Sequence, residues 1–265
     1  MELIFFGGDR MPSTYTHYRF GTRVLAELSP EIRNLLQRNR MLFDLGLQGP
    51  DFFFYYKLGK KTPVRRLAKV YHRQTGRAVF TRMCEELKNP TEKELAYLYG
   101  LLGHYCLDSV CHPLVFQVTG EDGLAHNAME SEFERYLLAK DGIARPHRHL
   151  RGAYLRCGRK KAHVIARCYP EAEAKQIREG LLTMAVVLDL LTVYGGAKLV
   201  LKAMGGANPG LLMKKEPDEA WETWNEPLEI CWEEAVDLYP TLAQQLENHL
   251  TSGEPLGAGY DKIFG

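Results

Sequence analysis

The chain has 265 residues, 45% of them hydrophobic and 25% charged, with a formal net charge of +1. This is an ordinary globular composition, ample for a core in one large domain or two modest ones, and it excludes a global electrostatic field for nucleic acid or an anionic membrane. Six cysteines, Cys84, Cys106, Cys111, Cys157, Cys168 and Cys231, show no repeated short spacing and no C-x-x-C. They read as reduced thiols of a cytoplasmic protein, with Cys111 a packed thiol.

The chain opens with Glu2 and a short apolar run, Leu3 to Phe6, which is no signal-peptide core and is the one possible strand. Gly7-Gly8-Asp9-Arg10 is a breaker cluster before Met11-Pro12. Residues 1–11 therefore read as an N-terminal extension, with Met11 an alternative start, and residues 12–265 as a single domain. Thr16 to Leu28 has helical apolar spacing, with His17 in its first turn, and Ser29-Pro30-Glu31 caps a second helix reaching about Met41. Gly49 and Pro50 turn the chain, and Asp51 leads into the aromatic run Phe52 to Tyr56, where a buried carboxylate needs a partner. Val64 to Leu87 reads as a helix carrying His72, interruptible at Gly76.

Thr91 and Glu94 fit a capping box that starts a long helix, which Pro113 helps to end. A second helix, about Leu124 to Ala139, follows the loop Thr119 to Gly123 and stops at Asp141-Gly142. Arg145 to Lys161 holds seven Lys/Arg and no acid, so it is locally basic. Helical patterns resume at Ala162 to Cys168, Glu171 to Val193, Ala197 to Met204, Asp218 to Leu238 and Pro240 to Leu250, before a Gly/Pro-rich tail, Ser252 to Gly265, without a period. The longest apolar stretch, Leu181 to Met204, contains Asp189, Lys198 and Lys202. At about 2.5 to 3.5 kcal/mol per charge at mid-membrane, it reads as a buried amphipathic helix and not a transmembrane segment. The pattern predicts an all-α, single-domain protein.

The chemistry concentrates between His104 and Glu130. His104, Asp108 and His112 stand at i, i+4 and i+8, and His126 and Glu130 repeat the i, i+4 step. Four residues advance a helix by about 400°, so such side chains drift only ~40° apart and share a face. Facing helices that turn histidines and carboxylates inward make a known kind of metal site. The candidate ligands are His17, Asp51, His72, His104, Asp108, His112, His126 and Glu130. Mixed nitrogen and oxygen donors suit zinc or a similar transition metal. The set is too large for one tetrahedral ion, which implies two or three. Such clusters suit phosphoester hydrolysis. Taken singly, His17 reads equally as a helix-end residue, Asp51 as a cap and His72 as a surface histidine.

THYRFG around His17, QGPD ending at Asp51, the isolated His72, GHYCLDSVCHP, and H-x-x-x-E-x-E-F-E from His126 together resemble the bacterial zinc-dependent phospholipase C family, a relative of the fungal three-zinc single-strand nucleases. The resemblance covers about Pro12 to Arg135 and implies a helical bundle of the phospholipase C and zinc nuclease type, a metallohydrolase-like domain. By position it implies that Asp51, His72, His104 and Asp108 hold a first metal, that Asp108 bridges to a second bound by His17, and that His112, His126 and Glu130 hold a third. It further implies attack on phosphorus by a metal-bridging water that Asp51 orients or deprotonates. The expected substrate is a phospholipid or other phosphodiester, reached through transient membrane-surface contact. A single-strand nuclease and a metal-binding module without catalysis are the alternatives. Secreted members begin with a tryptophan that completes the metal beside the first histidine, whereas no tryptophan precedes Trp221 here. The metal beside His17 is therefore expected to be weak or differently completed.

Overall fold

One helix buries almost everything it carries, and the site is built on it. In the computed structural model α6, Glu92–Thr119, is buried at every position from Ala96 to Ser109. A helix apolar all round belongs inside other helices, and α6 lies between α3, Arg40–Gly46, and α10, Asn225–Ser252. The other helices are α1 Thr14–Val24, α2 Pro30–Arg38, α4 Pro63–His72, α5 Gly76–Leu87, α7 Gly123–Lys140, α8 Arg159–Ala166 and α9 Ala174–Leu191. The structure describes residues 13–193, 196–197, 200 and 209–265. The expected extension at 1–11, its possible strand, and most of the helix expected over 197–204 lie outside them. Among the described residues there is no sheet, only an isolated bridge between Thr75 and Ile263. No helix there is long and apolar enough to cross a membrane. The fold is all-α, and one core cluster runs from Tyr15 to Phe264.

The start of α6 is the expected capping box: Glu94 N–H donates to Thr91 Oγ1 (3.3 Å) and Thr91 N–H to Glu94 Oε2 (2.8 Å). Its end departs from expectation, because α6 continues through Pro113 to Thr119. A proline inside a helix costs about 3 kcal/mol, partly by freeing the carbonyl four residues back. That carbonyl, of Ser109, accepts from Lys262 Nζ at 3.4 Å instead. Both sides of the proline are pinned by burial, at His112 and Val115. The helices expected on either side of Pro240 are likewise one, α10, with Tyr239, Leu242 and Ala243 buried around the proline.

The helix expected from Val64 to Leu87 is two helices, α4 and α5, separated at 73–75. A Cβ at Gly76 would sit 2.4 Å from the Tyr105 ring, so Tyr105 occupies the space a continuous side-chain row would need. Thr75 caps the new start, accepting from Ala78 N–H at 3.3 Å. The break leaves His72 as the last residue of α4, buried at 9% exposure rather than on the surface.

α3 crosses α6 with backbones touching. A Cβ on Gly46 would lie 2.2 Å from Tyr97 O, and one on Gly100 would lie 2.1 Å from Phe43 O. This crossing delivers the turn after α3 directly onto His104. The aromatic run Phe52 to Tyr56 that follows is core, each ring 5% exposed or less.

Candidate metal centre

His17 sits in the first turn of α1, Asp51 opens the 3₁₀ turn Asp51–Tyr55, and His72 ends α4. His104, Asp108 and His112 project from α6, and His126 and Glu130 from α7. α7 is set by Asp122, whose Oδ1 accepts from Leu124 and Ala125 N–H at 2.9 and 3.3 Å, a cap worth about 1 kcal/mol. Among the described residues three groups have ligand atoms within 4.8 Å of one another: His17, His104 and Asp108; Asp51, His72 and His104; and His112, His126 and Glu130. The structure thus brings together all the residues singled out in sequence.

Asp108 stands at the junction. Its Oδ1 lies 3.0 Å from His17 Nε2 and 3.9 Å from His112 Nε2, and its Oδ2 lies 3.2 Å from His104 Nε2. Asp51 Oδ1 is 3.0 Å from His72 Nε2, and Asp51 Oδ2 is 4.0 Å from His104 Nε2. Glu130 Oε1 is 3.0 Å from His126 Nε2 and 3.3 Å from His112 Nε2. His17 groups with His104 as well as with the expected Asp108, their rings stacked at 4.7 Å.

Gly49 explains why the 49–51 turn reaches His104. It has φ +52°, and a Cβ there would fall 2.2 Å from His104 Cδ2. Only glycine adopts that backbone freely and leaves room for the ring.

The ring orientations fit a bound cation. His17 Nδ1 donates to Ser13 O at 3.0 Å and His72 Nδ1 to Ala68 O at 2.7 Å. That fixes the proton on Nδ1 and turns the Nε2 lone pair of the neutral ring toward a carboxylate. Two acceptors 3.0 Å apart repel unless a proton or a metal stands between them. His104 is fully buried, and neither ring nitrogen is in hydrogen-bond geometry. Asp51, Asp108 and Glu130 add negative charge that needs compensation where it is buried. Neutral imidazoles and carboxylates at these separations are a zinc-type donor set.

The electrostatics point the same way. Burial opposes charge on His17, but Asp108 outweighs it and lifts the imidazole to about 9. Burial likewise opposes the rise at His72, where Asp51 wins. Burial pushes His104 down to about 4. At Asp108, burial is outweighed by His104, His112 and His17, which hold the carboxyl well below the usual range. Burial also opposes the fall at Glu130, where His126 and then His112 bring the carboxyl down to about 2.

Comparison with protein families matches residues 16–180 to the family described as zinc dependent phospholipase C. The chain belongs to this zinc-dependent phospholipase C family. The matched span contains every candidate ligand and ends within α9. Comparisons with curated proteins and with solved structures gave no match.

In this phospholipase C family member, several groups around the ligands lie beyond what sequence spacing reveals. Glu134, 1% exposed, accepts from Tyr15 N–H (3.0 Å), Ser13 Oγ (3.2 Å) and Arg151 Nη1 (3.0 Å), so it fastens the first turn of α1 below His17. Arg151 belongs to the basic Arg145 to Lys161 segment, yet it is buried at 6% exposure. Phe264 and Gly265, in the tail without a period, lie against His72 and His104. The H-x-x-x-E-x-E-F-E pattern is the one sequence signal that includes Glu134. Cys111 is half-buried, free, and in none of the three groups.

Proposed function

We propose that the chain is a zinc-dependent phosphoric diester hydrolase of the phospholipase C type, acting on a phospholipid. The observation that carries this reading is Asp108, buried, with its two oxygens divided between His17 and His112 on one side and His104 on the other. Asp51, His72 and His104 would hold one ion, and His112, His126 and Glu130 another. With His104 given to the first ion, His17 and Asp108 leave a third position with fewer protein donors. Bound zinc supplies positive charge that acidifies water and offsets charge developing on a phosphoryl group.

The chain's own residues then have distinct tasks. Ser13 and Ala68 carbonyls keep the Nδ1 protons of His17 and His72 and present Nε2 to the site. Asp51 Oδ1 is engaged by His72, while Oδ2, 4.0 Å from His104, is the freer oxygen and the one to accept a proton from the attacking water. The residues Phe52 to Tyr56 keep bulk water away from that carboxylate, because all are buried. The same burial withdraws this run both as a platform on which bases stack and as a surface that meets lipid.

The test is hydrolysis of a chromogenic phosphodiester, abolished by a chelator and restored by zinc. Activity indifferent to metal removal or to Asp108→Ala overturns the reading. Release of phosphocholine from short-chain lipid, against degradation of single-stranded DNA, separates lipase from nuclease. A metal content below about one ion per chain favours the binding module, since each bound ion needs its own donor set.

A further inference from the structure

Residues 256–265 carry no sequence period, yet they are fastened along their length. Arg77 donates to Asp261 Oδ1 (2.6 Å), to Leu256 O (2.5 Å) and to Gly257 O (3.0 Å). The Tyr105 hydroxyl donates to Gly259 O at 2.8 Å, and the Tyr260 hydroxyl to Leu242 O at 2.7 Å. Gly76 N–H donates to Lys262 O at 3.0 Å, Phe264 N–H to Gln74 O at 2.8 Å, and Gly265 N–H to His72 O at 3.2 Å. The segment is a strap drawn across the break between α4 and α5, and it lies outside the span matched to the family.

The far end of the strap rests on the metal centre. Phe264 is fully buried, its ring 5.8 Å from His104 and 6.1 Å from His72, and backed by Tyr105 and Phe80 at 5.3 and 6.1 Å. A metal-binding histidine is ordinarily aimed by a hydrogen bond from its outer ring nitrogen. His104 Nδ1 has no such partner. Its orientation is left to packing: His17 stacked on it, Gly49 against its edge, and Phe264 beside it. At Gly265 a Cβ would lie 2.4 Å from His72 Cδ2 and 3.3 Å from Asp108 Oδ2. Any side chain there presses on two proposed ligands.

We propose that residues 256–265 are a positioning strap for the first metal centre, meaning the joined cluster of His17, Asp51, His72, His104 and Asp108 as against a second centre of His112, His126 and Glu130, in which strap Phe264 sets the His104 and His72 rings and glycine at 265 keeps the edge between His72 and Asp108 clear. This rests on the metal reading above. Among the described residues the strap makes no ring contact or hydrogen bond with His126 or Glu130, whose partners are His112, Phe116 and each other, so its influence falls on the first centre.

The experiment measures zinc affinity by chelator competition on the full chain for wild type, Phe264→Ala and Gly265→Ala, with His126→Ala marking the second centre. Removing an outer partner of a metal ligand typically weakens binding about 10- to 100-fold. That loss is expected at the first centre in both variants, with the second centre at wild-type affinity and with Phe264→Leu recovering most of the effect. Gly265→Ala removes no core atom, so its metal-free melting temperature should fall less than that of Phe264→Ala while its zinc affinity at the first centre falls as far, which separates positioning from loss of folding. Equal weakening at both centres, or wild-type affinity in both variants, overturns the strap while leaving the metal reading intact. A wild-type chain that binds no zinc at the first centre removes both.

Discussion

The first centre is gathered from α1, the Asp51 turn, α4 and α6, whereas the second comes from two consecutive helices, α6 and α7. The two are also held differently. In the first, His17 and His72 are anchored through Nδ1 to backbone carbonyls, and the Asp51 and Asp108 side chains are each 7% exposed. In the second, Nδ1 of His112 and of His126 has no partner, and the Glu130 side chain is 17% exposed. Carbonyl anchors therefore preorganise the first centre, whereas the second is presented by helical register, the packing of α6 on α7 and ring contacts to Phe116. Preorganisation of this kind is what separates a site that holds its geometry without an ion from one that depends on the ion.

The hardest test of this asymmetry is Asp108→Ala. It removes the carboxylate that faces His17, His104 and His112 together, while leaving His126 and Glu130 untouched. Phosphodiester turnover should fall by about 10²- to 10³-fold, the loss attached to deleting one preorganised electrostatic group. Zinc should be lost from the position beside His17 and persist among His112, His126 and Glu130. Metal analysis of the purified variant checks this, and parallel loss from both centres would erase the distinction.

Arg151→Ala breaks the support of the first centre without touching a ligand. Glu134 would be left buried with its charge no longer paired, which costs about 3 kcal/mol or more. Denaturant unfolding should register that loss. Zinc binding that involves His17 should weaken more than zinc binding at His126, because Glu134 holds the turn that carries His17.

What could be read in advance follows the same division. His112, His126 and Glu130 fall within 27 residues from His104 to Glu130, on helices whose register is set by a capping box and an Asx cap, so their juxtaposition is visible as spacing. His17, Asp51 and His72 stand in the sequence as candidates without a spacing that joins them to His104, since nothing local shows that backbone contact between Gly46 and Gly100 will lay the Asp51 turn on His104. The prolines mislead for a related reason: a rule about isolated helices yields to burial on both sides of Pro113 and Pro240. The strap is silent because it is held mainly through backbone carbonyls and amides, which leave no side-chain pattern.

In the metal-free protein the first centre carries the alkaline arm of the stability profile, through His17 and His72, while Asp108 of the first centre and Glu130 of the second share the acidic arm. His17 titrates near 9 when folded, against 6.5 for the free side chain, so its protonated form stabilises the fold fully below about 6.5 and the contribution is lost as pH rises through 9. Glu130, lowered from 4.5 to about 2, contributes above 4.5 and loses its contribution as pH falls toward 2. Each arm is on the order of 1–3 kcal/mol. Unfolding of chelated protein across pH checks it. His17→Gln should shrink the alkaline arm, which His72 shares, and Glu130→Gln the acidic one, which Asp108 shares. Added zinc should remove the alkaline arm by taking the proton's place on His17.

The smallest expected effect concerns which ion leaves first. At limiting chelator, the ion among His112, His126 and Glu130 should depart before the ion among Asp51, His72 and His104, by about tenfold in chelator concentration, the lower bound for a missing outer hydrogen bond. The comparison is fair because each of these triads offers a carboxylate and two imidazoles, so donor chemistry is matched and only the support differs. Two forces oppose each other here. Solvent at Glu130 lowers the cost of placing charge at the second centre, which favours retention. Rings without a bond at Nδ1 are aimed by packing and Nε2 alone, which favours release, and this applies to both histidines of the second centre but to His104 alone in the first. Release followed in wild type, with His126→Ala and His72→Ala marking each ion, decides between them. If the ion that depends on His72 leaves first, solvent screening at Glu130 outweighs preorganisation.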